Sequence, residues 1–435
     1  MKLLYANDRR GEYPPSVYAQ TIDLLDRFPP LKGETSADVA VVGAGYTGLS
    51  AALHLARAGR DVVLVDAQRV GFGASGRNGG QIGSGQRQEV DWLERQFGRP
   101  TARRLWDLAE DAKALTRALA AESGVPVRDG VAHACRSASE VDHSARMAAH
   151  LAAYYEYDRV QPLDRDAMAA HLGSAAYAGG DLDRGAAHVQ PLSLALGMAR
   201  LAVAAGVRIH EGTHVHRIEH GSATGKSRVL CDTGRILCDQ VILAGNGYQG
   251  RLDGKVAARV MPINNYIVAT TPLGDDFPEI LPQRIAVADT KFVVNYWRLD
   301  DDRRLIFGGG ETATYRFPRD IAALVRPHLL SVYPQLRDVA ITHAWGGTLA
   351  ITMNRMPHFA RPAPNCLSAG GYSGHGVALA TLAGRLMADA VAGQSDGFDA
   401  MAAIPTRPFP GGTMLRSPLL VAGMAWYGLR DRLGF

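Results

Sequence analysis

The sequence predicts a mixed α/β and α+β fold in which two domains are interleaved along the chain. The main observation is a β-branched run at residues 38–42 (DVAVV), followed by the glycine turn GAGYTG, an apolar helix and a second run at residues 61–65 (DVVLV). A further buried strand (QVILA) recurs far along the chain, at residues 240–244. At 435 residues, the length allows two or three domains.

The glycine turn has the spacing of a dinucleotide site. Gly43 would permit the tight turn, Gly45 would let backbone approach a pyrophosphate, and Gly48 would let helix and strand pack closely. The helix start then offers free N–H groups and a positive dipole end to phosphates. Asp66 follows about 20 residues later, where a carboxylate suits ribose hydroxyls. Arg69 nearby is the one feature that would suit a 2′-phosphate. We therefore expect a Rossmann-like domain that binds an adenine dinucleotide.

The remaining elements are predicted from hydrophobic spacing. Helical spacing covers residues 90–171, 190–206, 318–332 and 377–390; strands are predicted at 207–209, 215–218, 263–270, 292–297 and 304–307, and loops at 345–357 and 370–376. A second GxGxxG, at residues 245–250, follows the strand at 240–244. It lacks a clean helix and a following acid, so it favours a turn that closes the same nucleotide domain over a separate NAD domain.

Bulk composition excludes several classes of function. The chain has 47 Lys plus Arg against 43 Asp plus Glu and no long basic run. It therefore lacks the concentration of positive charge that is typical of nucleic-acid-binding proteins. Residues 1–10 have no apolar h-region, so no signal peptide is expected, and the longest apolar candidate, residues 418–429, is too short to span a bilayer. No CxxC pair occurs, and the histidines at 210–220 fit no metal motif. We expect a cytoplasmic chain without metal.

These residues resemble the D-amino-acid-oxidase-like family of FAD-dependent oxidoreductases, and within it the gamma-glutamylputrescine oxidase branch. The resemblance covers nearly the whole chain, and residues 129–185 and 275–303 are the least diagnostic. Its most specific strings are GASGRNGGQ and GYSGHGV. The matching segments are the glycine turn with its helix, VGFGASGRNGGQ (70–81), HVQPLSLALGMARLAVAAGV (188–207), GGYSGHGVALATLAGRLMAD (370–389), PFPGG (408–412) and LRDRLG (429–434).

The resemblance implies a Rossmann-like FAD-binding domain interleaved with an antiparallel-sheet substrate domain. The first would comprise residues 38–98, 186–256 and 346–435, the second residues 99–185 and 257–345, after a leader at 1–37. Val215 would meet adenine through its backbone. The stretches that attach flavin in some relatives contain neither Cys nor His here, so FAD is expected to bind non-covalently. The residues implied to contact FAD are Gly43, Gly45, Tyr46, Thr47, Gly48, Asp66, Ala67, Gly73, Ala74, Ser75, Arg77, Asn78, Gly79, Gly80, Gln81, Val215, Ala244, Gly245, Gly347, Gly371, Tyr372, Ser373, Gly374, His375, Gly376 and Val377.

The late loop at residues 370–376 suits a flavin on independent physical grounds. Its four glycines let backbone approach a flat ring, and the N–H groups at the following helix start stabilise negative charge. A simple turn before a helix is the alternative.

The expected chemistry is hydride transfer from the carbon beside a neutral amine to flavin, giving an imine that water hydrolyses. No strong general base is expected, because an apolar pocket itself favours the neutral amine. Oxygen would accept the electrons and form hydrogen peroxide, aided by Lys291 or His375 as a cation, unless a quinone or a protein accepts them. Tyr296, Trp297, Met353 and His358 are further wall candidates, and for each residue ordinary core packing is the alternative. The predicted catalytic residues are His375, Tyr372, Trp345 and Tyr266.

Three classes of function remain open from sequence. The first is an FAD-dependent amine oxidase acting on gamma-glutamylputrescine, an N-alkyl amino acid or another polyamine derivative. The second is an NAD-dependent dehydrogenase, and the third is a non-catalytic nucleotide-binding protein. A small-molecule amine and an electron acceptor are the expected partners.

Overall fold

The computed structural model describes residues 3–222, 225–312 and 314–411. The apolar stretch at 418–429, the string LRDRLG and the end of the predicted segment 346–435 lie outside the described residues. Within those ranges, none of the helices combines the length and the apolar character needed to cross a membrane.

The described residues form seventeen strands and eleven α-helices, joined by loops and short 3₁₀ turns. The strands are β1 (Gly33–Val42), β2 (Val62–Val65), β3 (Gln81–Ile82), β4 (Val127–Cys135), β5 (Val160–Leu163), β6 (Gly179–Val189), β7 (Arg208–His210), β8 (Val215–Glu219), β9 (Ser227–Cys231), β10 (Gly234–Leu243), β11 (Met261–Pro272), β12 (Ala286–Asp289), β13 (Tyr296–Leu299), β14 (Arg304–Thr312), β15 (Ile341–Ile351), β16 (His358–Ala363) and β17 (Cys366–Gly370). The helices are α1 (Val17–Gln20), α2 (Tyr46–Arg57), α3 (Val90–Phe97), α4 (Arg99–Glu122), α5 (Ala138–Tyr155), α6 (Arg165–Leu172), α7 (Pro191–Ala204), α8 (Gly254–Ala257), α9 (Ile321–Val332), α10 (Gly376–Val391) and α11 (Asp396–Ala402).

The first sheet is the predicted nucleotide-binding sheet. Its strands follow the order β16-β17-β10-β1-β2-β7, and every neighbouring pair is parallel except β16 and β17. The strands β8 and β9 extend it as an antiparallel pair beside β10. All four residues of β2 are buried, as expected for a parallel strand covered on both faces. Because β10 lies beside β1, the second glycine turn belongs to this same sheet.

The second sheet has nine strands and is almost entirely antiparallel. Its order is β15-β11-β14-β13-β12-β4-β6-β3, with β5 paired to β6; only β12 and β4 run parallel. The fold prediction is therefore confirmed: a parallel α/β sheet and an antiparallel sheet are built from alternating parts of the chain. The predicted domain limits stay a prediction, although β3 and the residues of β15 beyond 345 lie in the second sheet.

Three local predictions were wrong. The helical spacing at residues 90–171 is interrupted by β4 and β5, because both strands pair with β6. The predicted loop at 345–357 is largely strand, since β15 pairs with β11 from Ile341 as far as Ile351. The predicted strand at 292–297 contributes only its last two residues, to β13.

The helices α2 and α10 pack against each other beside the first sheet. A Cβ at Gly384 of α10 would lie 2.3 Å from the Thr47 carbonyl oxygen of α2, so only glycine allows this approach. The contact brings the amino termini of both helices to the same edge of the first sheet, where it faces the second sheet.

The amino-terminal segment packs under the loop at residues 73–81. Tyr18 is almost fully buried, and its hydroxyl donates to the Asn78 carbonyl oxygen at 2.9 Å. Asp8 forms an ion pair with the buried Arg77 at 3.0 Å. Residues 33–37, assigned by sequence to the leader, begin β1. The segment thus supports a loop of the predicted cofactor site.

Candidate active site

The glycine turn between β1 and α2 has the geometry that a bound pyrophosphate requires. Gly43 has a φ of +112°, and a Cβ there would lie 2.8 Å from the Ala244 carbonyl oxygen. At Gly48, a Cβ would lie 1.8 Å from the Gly43 carbonyl oxygen, which is sterically impossible. At Gly45, a Cβ would crowd the Ser75 hydroxyl at 2.8 Å. Gly43 and Gly48 therefore have the turn and packing roles predicted from the motif, and approach of a pyrophosphate to Gly45 stays a prediction.

Asp66 ends β2 at the wall of the same cavity. Its carboxylate accepts the backbone N–H groups of Ala44 and Gln68, both at 2.7 Å. Burial raises its pKa to about 6, although these two hydrogen bonds lower it. Arg69, the residue that would suit a 2′-phosphate, is turned away and forms an ion pair with Glu211 at 2.8 Å. This arrangement suits a ribose with free hydroxyls.

The loop at residues 73–81 is held by its own asparagine. The Asn78 side-chain amide donates to the carbonyl oxygens of Ala74 and Ser75, both at 2.9 Å, and its oxygen accepts the Gly80 N–H at 2.7 Å. The Ser75 hydroxyl accepts the Tyr46 N–H at 3.0 Å, which ties the loop to the start of α2.

Arg77 was predicted to line the cofactor, but the structure places its side chain on the far side of this loop. The guanidinium donates to the carbonyl oxygens of Phe72 and Gly346 and pairs with Asp8. Gly347 has the complementary role, since a Cβ there would contact the Arg77 side chain at 3.3 Å. Both residues support the loop from behind, because a buried guanidinium needs a countercharge and carbonyl acceptors.

The late loop leads into α10 as the sequence predicts. Gly374 has a φ of +88° and no atom within 4 Å of a built Cβ, so it leaves open space beside the helix start. No described side chain caps α10, so its first N–H groups are available to a ligand. The Tyr372 hydroxyl bonds the Thr47 hydroxyl at 2.7 Å and joins the starts of α10 and α2.

One cavity of about 1330 Å³ runs between the two sheets and reaches both helix starts. It is larger than an ordinary ligand pocket of about 300–1,000 Å³, so it has room for a dinucleotide and a substrate together. Most predicted contact residues line it, including Val215 at the adenine end and Tyr372 to Val377 at the other. The predicted residues that do not line it are Gly48, Arg77, Gly347, Gly371, Trp345 and Tyr266, together with the wall candidates Trp297, Met353 and His358.

Trp345 and Tyr266, two predicted catalytic residues, lie in the protein core. The Trp345 indole N–H donates to the Arg77 carbonyl oxygen at 3.1 Å, and its ring packs on Tyr18. The Tyr266 ring packs edge-on against Phe317, because its strand neighbour Asn265 faces the cavity and alternate side chains point to opposite faces. Neither side chain reaches the cavity.

His375 lines the cavity but is neutral. Burial and the nearby Arg87 lower its pKa to about 4, and Nε2 bonds the Gly85 carbonyl oxygen at 3.1 Å. A Cβ at Gly83 would lie 2.5 Å from the imidazole ring, so the ring packs closely on that loop. His375 therefore does not provide the cation considered for oxygen reduction, whereas Lys291 lines the cavity and keeps that prediction open.

The structure adds charged residues that the sequence did not reveal. Glu311, Arg87 and Arg355 line the cavity on the side of the second sheet. Asn265, paired with Glu311 across β11 and β14, accepts a hydrogen bond from the Tyr296 hydroxyl. The only sequence signal for these residues is strand alternation, and it becomes informative only once the pairing of the strands is known.

A buried network supports the cavity wall on the side of α4. The Lys113 ammonium donates to the hydroxyls of Ser84 and Tyr157 at 2.6 and 2.9 Å. Both hydroxyls donate to Asp183, and Glu110 pairs with Lys113 at 2.8 Å. The lysine is thus neutralised within the protein, as a buried charge requires. Within the described ranges no group of three or more His, Cys, Asp or Glu is arranged to hold a metal ion.

The cavity fits FAD on three independent observations. Its glycine turn has no room for an added Cβ, two helix starts whose own N-cap residues provide no side-chain cap face it, and Asp66 stands at its adenine end. When bound, the pyrophosphate would lie at the start of α2, and the ring system would extend towards α10. Non-covalent attachment stays a prediction.

Comparison with known proteins agrees with this geometry. The family described as DAO, FAD dependent oxidoreductase, matches residues 38–390. The chain is 43% identical to the probable oxidoreductase OrdL of Rhizobium meliloti (strain 1021), over 96% of this chain and 97% of that protein. It is 37% identical to the gamma-glutamylputrescine oxidoreductase of Escherichia coli (strain K12), over 97% and 99%.

Solved structures show the same fold. The crystal structure of glycine oxidase from Geobacillus kaustophilus superposes with a TM-score of 0.68 at 22% identity, over 82% of this chain and 95% of that one. The family match extends across both sheets and both glycine-bounded helix starts. The chain belongs to the DAO family of FAD-dependent oxidoreductases and is an FAD-binding enzyme.

Proposed function

We propose that this enzyme oxidises the C–N bond of an amine, gamma-glutamylputrescine or a closely related compound, with molecular oxygen as electron acceptor. The similarity to the gamma-glutamylputrescine oxidoreductase of Escherichia coli supports the choice of substrate. The structural observation that supports an amine is that the Glu311 carboxylate faces the cavity and has no partner among the described residues.

Glu311 faces the cavity and has no partner among the residues that the structure describes. Within the described residues, its carboxylate has neither a hydrogen bond nor an ion pair, and burial raises its pKa to about 6 although Arg355 and Arg87 lower it. A partly buried carboxylate without a partner is costly, and a cationic ligand would remove that cost. An ammonium group is such a ligand, whereas an alcohol or a neutral amide is not.

Glu311 also has the chemistry to prepare the substrate. The nitrogen of an ammonium ion has no lone pair, so the ion must lose a proton before the adjacent carbon can release hydride. The ionised Glu311 carboxylate accepts that proton, and the resulting pair of neutral groups is favoured by the same burial. When bound, FAD supplies the two-electron acceptor for the hydride. The substrate is left as an imine, which water hydrolyses to a carbonyl compound and ammonia, or an amine where the oxidised nitrogen carries an alkyl group.

Other residues orient the substrate and stabilise charge. The Tyr296 ring forms a wall beside Gly79, where a Cβ would come within 2.7 Å of the ring. The free N–H groups at the start of α10 favour negative charge placed beside them. Lys291 on the cavity wall would favour the negative charge that develops when oxygen takes up electrons.

A second candidate, oxidation of an N-alkyl amino acid, is favoured by one specific observation. Arg87 and Arg355 are the charged neighbours of Glu311 in the cavity. Guanidinium groups bind carboxylates, so an acid and two arginines together could hold an amino acid whose carboxylate is adjacent to its amine.

The test is flavin reduction under anaerobic conditions by gamma-glutamylputrescine, putrescine and N-methylglycine. Glu311→Gln should retain FAD and lower kcat/KM by about 10²- to 10³-fold, as expected for loss of a proton acceptor. Only the ionised carboxylate accepts a proton, so wild-type kcat/KM should rise through pH 6, and Glu311→Gln should lack that rise.

Glu89→Gln, at another glutamate of the cavity wall, is the matched control and should keep the wild-type pH profile. Failure of every amine to bleach the flavin would contradict the proposed function. Bleaching by N-methylglycine alone would select the second candidate. Peroxide formed in step with amine in air would support oxygen as acceptor, and bleached flavin that stays reduced in air would point to a quinone or a protein.

A further inference from the structure

A histidine–aspartate pair lies in the wall of the same cavity, on strands that the proposed function does not use. His133 on β4 and Asp181 on β6 are directly opposed in the strand register, so their side chains share one face of the second sheet. The His133 Nδ1 lies 2.8 Å from the Asp181 Oδ1, and the Ser144 hydroxyl of α5 donates to the other carboxylate oxygen at 2.6 Å.

The pair presents one unused hydrogen-bond donor to the cavity. Both Asp181 oxygens are occupied, and the aspartate side chain is only 11% exposed. The His133 side chain is 49% exposed and lines the cavity, and within the described residues its Nε2 has no partner. The neighbours of His133 on β4 point alternately: Val131 and Cys135 also line the cavity, while Ala132 and Ala134 pack in the core behind.

His133 is charged at neutral pH. Burial by itself would lower its pKa, but the Asp181 carboxylate outweighs burial and raises the pKa to about 9. The charged or titratable groups that line the cavity around the pair are Asp183 of β6, Cys135 of β4, Asp289 of β12 with Lys291 after it, Glu140 and His143 of α5, Tyr157, Glu89 before α3, Arg87, and His375 at the start of α10.

Most of these groups are occupied by protein partners. Asp183 accepts from Ser84 and Tyr157, and Glu89 bonds His143 at 2.7 Å. Glu140 accepts two backbone N–H groups at the start of α5, and His375 is neutral. Nε2 of His133 is therefore a cationic donor, fixed from behind, that faces open space.

We propose that the His133–Asp181 pair binds a carboxylate carried at the far end of the amine substrate. The inference rests on the proposed function and makes it more specific. It selects amines in which a chain separates the oxidised nitrogen from an acidic group, and it disfavours N-alkyl amino acids, whose carboxylate is adjacent to the nitrogen. Gamma-glutamylputrescine belongs to the selected class, because its glutamyl end carries a free carboxylate.

The experiment compares two substrates that differ only in this carboxylate: gamma-glutamylputrescine and N-(4-aminobutanoyl)putrescine. Anaerobic flavin bleaching gives a dissociation constant and a reduction rate for each. Wild type should prefer the first by about 10- to 100-fold in kcat/KM, the size of one lost charge-assisted hydrogen bond. His133→Gln should lose this preference and keep its rate on the second substrate.

A charge-preserving variant and a matched control keep the test independent of folding. His133→Arg retains a cationic donor and should retain most of the preference, and its FAD content reports whether the cavity is intact. His143→Gln, at another histidine of the cavity, should leave the preference unchanged. Above pH 9, where His133 loses its proton, the wild-type preference should fall towards that of His133→Gln.

The outcomes separate the two proposals. Equal use of both amides by wild type, or an unchanged preference in His133→Gln, would overturn the proposal that the His133–Asp181 pair binds the substrate carboxylate (the carboxylate anchor). Amine oxidation would remain supported. Oxidation of N-methylglycine with neither amide used would overturn the anchor and select the second candidate function. Absence of bleaching by all three compounds would overturn the proposed function and the anchor with it.

Discussion

The two ends of the cavity are built in different ways. At the nucleotide end, backbone atoms form the site, because Gly43, Gly45 and Gly48 lie where no side chain would fit. At the substrate end, side chains form the site, and residues such as Glu311 and His133 come from strands that are far apart in the chain. Backbone sites depend on local sequence, whereas side-chain sites depend on how distant strands pair.

The largest expected effect tests the backbone end. In Gly48→Ala the new methyl group would overlap the Gly43 carbonyl oxygen at 1.8 Å, so α2 must move away from β1. We expect a colourless or insoluble protein, with a free energy of unfolding lowered by about 4 kcal/mol or more. Visible absorption and thermal unfolding measure the two effects.

Gly254→Ala is the matched control for that variant. A Cβ at Gly254 meets nothing within 4 Å, and this residue already lies in a helix, so stability should be unchanged or slightly increased. If Gly48→Ala binds FAD as wild type does, the contrast between backbone and side-chain ends is wrong.

An intermediate effect tests the substrate end through stability. The folded-state pKa of Glu311 is raised to about 6 from the usual 4.5, so the folded protein holds its proton more tightly than the unfolded chain does. This contribution favours folding below pH 4.5 and is lost as pH rises through 6. Glu311→Gln should therefore raise the free energy of unfolding by about 1–2 kcal/mol at pH 8 and have little effect at pH 4.

Thermal unfolding at the two pH values checks this expectation. Asp320→Ala serves as a reference variant, because the Asp320 side chain caps α9 and its loss should lower stability at pH 8. Equal stability of wild type and Glu311→Gln at pH 8 would show that the carboxylate has an internal partner.

The smallest expected effect concerns a residue that the sequence placed at the site and the structure places in the core. Tyr266→Phe removes a hydroxyl that bonds Thr312, so the free energy of unfolding should fall by about 1 kcal/mol. KM and kcat for the amine should stay within a factor of two of the wild-type values. A KM raised tenfold, with stability unchanged, would contradict this expectation and indicate that Tyr266 contacts the substrate.

The residues that form the nucleotide end of the cavity could be predicted from the sequence, whereas those that form the substrate end could not. Strand, glycine turn, helix and acid are contiguous at residues 38–66, so this one stretch of sequence is enough to predict the site. Glu311 stands at the end of a glycine-rich strand and acquires its neighbours only through pairing of β14 with β11. Trp345 was misplaced because the amino-terminal segment and Arg77 cover it, and no local pattern shows that they do.

The ion pair between Asp8 and Arg77 has a practical consequence for handling the protein. The countercharge of a guanidinium buried behind the cofactor loop comes from the eighth residue, so a protease cut or a shortened expression clone that removes this segment would strip the loop of its support. Preparations trimmed there would lose flavin on a gel-filtration column, although the glycine turn and the starts of α2 and α10 are still in place.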